Sequence, residues 1–281
     1  MQIRKLIAAA LLLAAPVSLL PTAVAAQTEA AAPSVAELLE ITSFDQVFTH
    51  SGSAMAEAPA LHGIPLPAEM ERAWREAALE VFVAERMHAR LAAALESLIS
   101  ATEAGAVAEF FSTPLGRKIG RLDRSLVMLE PEAIQQAMAS GSVMLSDLEP
   151  RRLRQFDEML ALVSADLAAT MAAQSVRGML IGMSLAPQRG DIEIPWSEID
   201  AQLEAIMGSI EADVAASQRA LMAFGYSGLG DAELEEYLTF LRTPAARKFY
   251  SLAMVAVAGI NNEAMADFGE ALMTKLGSVG A

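Results

Sequence analysis

Two short stretches of this chain bring together residue types that could do chemistry. Thr113-Pro114 is followed by Gly116, Arg117 and Lys118, and Thr243-Pro244 by Ala246, Arg247 and Lys248. Threonine is a good helix N-cap and proline fits the first helical position. Each stretch therefore predicts a helix start, where unpaired N–H groups carry partial positive charge. A basic pair just inside that start could complete an anion site for a phosphate or a carboxylate. The same residues could instead build a helix–helix corner. Gly116 or Ala246 would then permit close approach, and the basic pair would meet acids such as Glu103 and Glu233. With 35 acidic and 20 basic residues, such internal pairing is easily arranged.

Other constellations carry less. Glu85-Arg86-Met87-His88 puts a carboxylate and an imidazole on one helix face, the spacing used in di-iron bundles. Those bundles need a second such motif and two further glutamates. The chain has only His50, His62 and His88, and Ala215 and Gln218 stand at the matching places of the second half. A solvated helix face is the expectation there. His50 beside Ser51-Gly52-Ser53 reads as a turn, and the chain has neither Gly-x-Ser-x-Gly nor a cysteine. Gly225, Gly228 and Gly230 follow no strand, so they read as a helix-ending turn and not as a phosphate loop. No catalytic residue, metal ligand or cofactor is assigned, and the expectation is a protein that is not an enzyme.

The elements that must position these residues read as helices. Ser34-Val35-Ala36-Glu37 is a capping box, and Ser43-Phe44-Asp45-Gln46 is a second one that opens a segment with Phe44, Val47 and Phe48 on one face. Ala58 to Pro67, with three prolines and a glycine, predicts a loop. Apolar residues at three- and four-residue spacings predict one long helix from about Ala68 to Leu98. A shorter helix carries Val107, Phe110 and Phe111, the next covers about Leu115 to Leu129, and a short one from Pro131 reaches about Ser140. The second half predicts helices over about Arg151 to Val163, Ala165 to Leu185, Ser197 to Gly225, Asp231 to Leu241, and Thr243 to Leu276, with a Pro/Gly loop over Pro187 to Pro195. No convincing strand is present. The fold class is therefore all-α, two repeated multi-helix units forming a helical bundle with no significant sheet.

The order of elements repeats. Phe110-Phe111-Ser112-Thr113-Pro114 lines up with Phe240-Leu241-Arg242-Thr243-Pro244 at an offset of 130 residues, which also places Ile64-Pro65 on Ile194-Pro195, Leu91 on Leu221 and Glu103 on Glu233. The boundaries that follow are a signal peptide over 1–26, a linker over 27–33, helical units over 34–145 and 146–276, and a tail over 277–281. A short acidic helix followed by Phe-Phe-x-Thr-Pro-x-Gly-x-Lys covers Glu103 to Lys118, and again Glu233 to Lys248. This motif resembles that of the exported bacterial family catalogued as domain of unknown function 2059. The second copy carries Ala246 where the family has glycine. The resemblance implies an exported all-helical domain and no reaction.

Charge and targeting bound the partners. Arg4 and Lys5, the apolar run Leu6 to Ala15 and the small residues Thr22 to Ala26 form a secretory signal pattern, with cleavage expected before Gln27. Loss of the two basic residues takes the formal charge from −15 to −17. That argues against nucleic acid and anionic headgroups as partners. The absence of cysteine excludes a lipoprotein anchor and disulfides, so packing alone must stabilise the chain. Sixteen methionines can fill an alanine-rich core or line an adaptable groove. Met179 to Met183 and Leu252 to Ile260 are apolar nearly all round, as central core helices or a ligand surface would be. A non-catalytic periplasmic module for protein interaction or envelope support is expected, or else a carrier of a hydrophobic small molecule or lipid between helices. The partner would be another periplasmic protein or a hydrophobic ligand, with no transmembrane segment after signal removal.

Overall fold

The computed structural model describes residues 32–61, 65–163 and 212–279. The signal peptide expected over residues 1–26, most of the expected linker, the helix expected over Ala165 to Leu185 and the loop expected over Pro187 to Pro195 lie outside the described residues. The described helices are α1 (Val35–Ile41), α2 (Ser51–Leu61), α3 (Ala68–Val81), α4 (Ala84–Glu96), α5 (Ala101–Phe111), α6 (Pro114–Val127), α7 (Pro131–Ser146), α8 (Pro150–Leu162), α9 (Asp231–Leu241) and α10 (Pro244–Val279). A 3-10 turn covers Phe44–Gln46. Residues 212–225 are also helical. The fold is an all-α bundle with no strand among the described residues. Among the described residues no helix is long and apolar enough to cross a membrane.

Helix starts follow local chemistry. Ser34 and Ser100 head reciprocal capping boxes with Glu37 and Glu103. Each serine hydroxyl accepts an N–H of the first turn, and each glutamate accepts the serine N–H in return. Pro114, Pro131 and Pro150 occupy first helical positions, where a missing N–H costs nothing.

The packing overrides the sequence pattern in four places. The long helix expected over Ala68 to Leu98 is two helices, α3 and α4, broken at Phe82-Val83. Phe82 leaves the helical region with φ −85° and ψ 63°. The Arg86 guanidinium turns back and donates to the carbonyls of Val81 at 2.6 Å and Glu80 at 3.1 Å, capping the freed end. The break seats the Phe82 ring beside Phe268, with centroids 6.1 Å apart. Ser43 does not cap a helix. It stands in the left-handed region at φ 63°, which costs a serine on the order of 1 kcal/mol. Its hydroxyl is spent on the Gly120 carbonyl at 3.2 Å. α2 runs through Pro59 to Leu61, so the loop begins later than Ala58. α7 continues past Ser140 to Ser146 because Gly141 is a packing point, not a stop. A Cβ there would lie 2.6 Å from the Ala220 carbonyl carbon.

α10 lies across α3, α4 and α5 and carries the largest share of the core. Ala253, Val257, Ile260, Ala264, Phe268 and Leu272 are buried along one side, while Val255 is exposed. The apolar run Leu252 to Ile260 thus has one face in the core, not all of them. Trp74 meets Phe268 edge to face at 4.8 Å and donates its indole N–H to the Met55 carbonyl at 2.8 Å. Burying an indole removes about 200 Å² from water, worth roughly 5 kcal/mol before the entropy of ordering it.

Candidate functional site

The two Thr-Pro stretches form the corners α5–α6 and α9–α10. Thr113 caps α6, accepting the Gly116 N–H at 2.9 Å, and Pro114 follows at the first helical position. Thr243 stands before Pro244 at the start of α10 and accepts the Ala246 N–H at a longer 3.3 Å. Gly116 is pressed on the end of α5: a Cβ would sit 2.6 Å from the Phe111 Cα and 2.7 Å from the Phe110 carbonyl carbon. The second corner, by contrast, seats the Ala246 methyl fully buried. The Arg117 guanidinium donates to the Ser112 carbonyl. Arg247 is exposed, and its backbone N–H bonds the Thr243 carbonyl at 3.0 Å.

The two corners face each other with reciprocal contacts. Lys118 reaches both carboxylate oxygens of Glu233 at 2.7 and 2.8 Å. Lys248 reaches both of Glu103 at 2.9 and 2.8 Å. Between them the Phe110 and Phe240 rings stack at 3.9 Å, only 5° from parallel. Phe110 and Phe240 are equivalent positions at the 130-residue offset, and the same offset exchanges the two lysine–glutamate pairs with each other. Each glutamate also accepts the N–H at the start of its own helix, Ser100 or Gly230. The Lys248 ammonium and the Ser100 donors hold the Glu103 carboxyl down at about 2, from an ordinary 4.5. Lys118 and the Gly230 N–H lower Glu233 in the same way. A carboxyl lowered in the fold stabilises it above its unfolded value, so this contribution is present at neutral pH and lost as pH falls from 4.5 towards about 2. The groups are exposed to solvent, which limits their worth. Replacing Lys118 and Lys248 together by methionine should lower the melting temperature by only a few degrees, and by less in molar salt. A collapse of the fold would show that the ion pairs, and not the Phe110–Phe240 stack, hold the corners together.

Gly116 and Arg117 also line a cleft of about 370 Å³ with Glu40, Ile41, Phe111, Arg121 and Arg124. Arg124 is bound within it by the Glu40 carbonyl at 2.8 Å and by Asp45 at 3.1 Å.

A second cavity, also about 370 Å³, lies where α6, α8, helical residues 212–225, α9 and α10 meet. Its wall is apolar: Phe44, Leu126, Met159, Met222 and Met254 contribute to it. Into it point Asp123 and all three tyrosines of the chain, Tyr226, Tyr237 and Tyr250. The Tyr226 hydroxyl donates to the Asp123 carboxylate. The Tyr237 and Tyr250 hydroxyls are 3.4 Å apart. Burial pushes the Asp123 carboxyl up to about 7, against the opposing pull of the Tyr226 hydrogen bond. Burial likewise raises all three phenols, which stay protonated at neutral pH.

Arg152 fixes the turn that delivers Tyr226. It is nearly buried beside Phe156 and donates to the carbonyls of Tyr226 at 3.0 Å and Leu229 at 2.7 Å, and to Asp231 at 3.0 Å. A carboxyl poised near neutrality could act as a general base. Among the described residues, however, the pocket offers no second group titrating near it.

The sequence pattern missed this pocket. A signal was available: every tyrosine falls within residues 226–250, and the places equivalent at the 130-residue offset hold Glu96, Val107 and Gly120. His88 also departs from expectation. It is not on a solvated face: Nε2 accepts the Phe48 N–H at 3.1 Å, and burial lowers its pKa. Among the described residues no three potential metal ligands converge.

Comparison with known families agrees with the first corner. Residues 85–148, from α4 through α7, match the model of a family described as an uncharacterized protein conserved in bacteria (DUF2059). No curated protein and no solved structure matches the chain.

Proposed function

We propose that this chain is a non-catalytic, exported helical module that binds a hydrophobic small molecule in the pocket between α6, α8, α9 and α10. The cavity carries the reading. About 370 Å³ of largely apolar space with a few convergent polar groups is the form that small-molecule sites take. The signal pattern of residues 1–26 supports a periplasmic location. The reciprocal corner contacts support two copies of one helical unit facing each other about an approximate two-fold axis. A second reading, protein interaction or envelope support, is favoured by Val143 and Met144, which are 66% and 36% exposed side by side on α7.

Titration with N-phenyl-1-naphthylamine, a neutral apolar fluorophore, tests the first reading. Emission should rise and saturate at one site per chain, and Met254→Trp, which fills the cavity, should abolish the rise while the melting transition is kept. Fluorescence that never saturates, or that the variant leaves unchanged, removes the binding reading and leaves the α7 face as the place to look.

A further inference from the structure

Resting on the ligand-binding reading, we infer that the pocket selects an organic cation, an amphiphile whose ammonium end lies against Asp123 and the tyrosines while its apolar body lies along Phe44, Leu126 and Met222. Asp123 is the one charged side chain among the described lining residues; no lysine, arginine or histidine is among them. No described basic residue forms an ion pair with it, and its hydrogen-bond partner is a phenol. A part-buried carboxylate in an apolar wall without a counter-charge is costly, and a bound cation removes that cost. The three tyrosines add what an ammonium group prefers beside a carboxylate, electron-rich ring faces and hydroxyl oxygens. They are buried at 6%, 2% and 6% exposure, so the rings are fixed in place before a ligand arrives. A neutral ligand would leave the carboxylate uncompensated, and a carboxylate ligand would add a like charge. The formal charge of −15 also attracts cations from solution.

The pocket is confined to one half. At the 130-residue offset Asp123 corresponds to Ala253, as the three tyrosines correspond to Glu96, Val107 and Gly120. The repeated helix order therefore does not account for this group, which belongs to one side of the bundle.

Ionisation of Asp123 sets the pH dependence. The groups facing it are Tyr226 from the turn after residue 225, Tyr237 from α9 and Tyr250 from α10, all protonated through the range tested. α8 and its C-cap contribute Met159, Leu160 and Val163, residues 212–225 contribute Gln218, Leu221 and Met222, and the segment after α1 contributes Thr42, Ser43, Phe44 and Val47, none of them charged. Burial holds the carboxyl at about 7, so a cation should bind best above neutrality.

Isothermal titration of the purified chain at pH 8 tests the selection, with octyltrimethylammonium and octanoate below their micelle concentrations and octanol below its solubility limit. The cation should bind about tenfold or more tighter than octanol, with octanoate weakest. At pH 5.5 its affinity should fall about tenfold or more, while that of octanol stays level. Asp123→Asn should erase the preference for the cation; the pH series on the unaltered chain decides should that variant fail to fold. Equal affinity for cation and alcohol, or a preference for octanoate, overturns the inference and leaves a hydrophobic site standing. No binding by any of the three overturns both.

Discussion

Gly116→Ala should destabilise the fold by about 3 kcal/mol or more, the reverse of what a glycine-to-alanine change does inside most helices. In an unhindered helix interior the change gains about 1 kcal/mol. Here the added methyl meets the backbone of Phe110 and Phe111 at 2.6–2.7 Å, and backbone cannot rotate out of the way. Relief requires α6 to lift from α5. That movement would loosen the Thr113 cap, withdraw Ile119 from the core and carry Asp123 out of register with Tyr226. Gly116→Leu should prevent folding. The reciprocal change Ala246→Gly, at a corner that already seats a methyl, should cost only about 1–2 kcal/mol, from helix propensity and a small cavity. Urea melts of the three variants measure the contrast. A neutral or stabilising Gly116→Ala would show that the corner relaxes freely and that close approach is not its purpose.

Asp123→Asn should stabilise the chain at pH 8 and lose that advantage as the pH falls. The sign follows from the direction of the shift. A carboxyl raised from 3.8 to about 7 binds a proton more tightly in the folded state than in the unfolded one. Folding is therefore least penalised below 3.8 and loses stability as pH rises through about 7. At about 1.4 kcal/mol per pKa unit the full penalty is on the order of 4 kcal/mol. Asparagine keeps an oxygen for the Tyr226 hydroxyl and carries no charge, so most of the penalty disappears above neutrality. The exposed pairs at Glu103 and Glu233, and the lowered His88, shift the chain's own curve the opposite way in acid. The difference between variant and parent, measured by urea melts at pH 8, 6 and 4, isolates Asp123. A difference constant across that range would mean that the carboxyl does not titrate near neutrality.

Much of the corner could be read from residue types alone. Threonine before proline, a glycine two places on and a lysine beyond it specify a capped helix start with a close approach, and the structure places each as its chemistry directs. The meeting of the lysines with Glu103 and Glu233 was also foreseeable from the acid-rich composition and the repeat. The break at Phe82-Val83 was not legible, because no glycine or proline marks it. It exists through tertiary packing of Phe82 on Phe268 and through the Arg86 cap. Ser43 carried the residue types of a helix start, and the demand of the Gly120 carbonyl took its hydroxyl elsewhere. The tyrosine pocket was hidden for a different reason. Its wall draws on residues from Thr42 to Met254, and Asp123 is one of 35 acids until the fold sets it against the tyrosines.

Native mass spectrometry of the full chain purified without detergent tests ligand binding most directly. The expected result is a mass above that of the chain, lost on denaturation and assigned to an amphiphilic amine or another hydrophobic small molecule. A bare chain mass, or a clean multiple of it, would contradict the binding reading and turn the search towards protein partners.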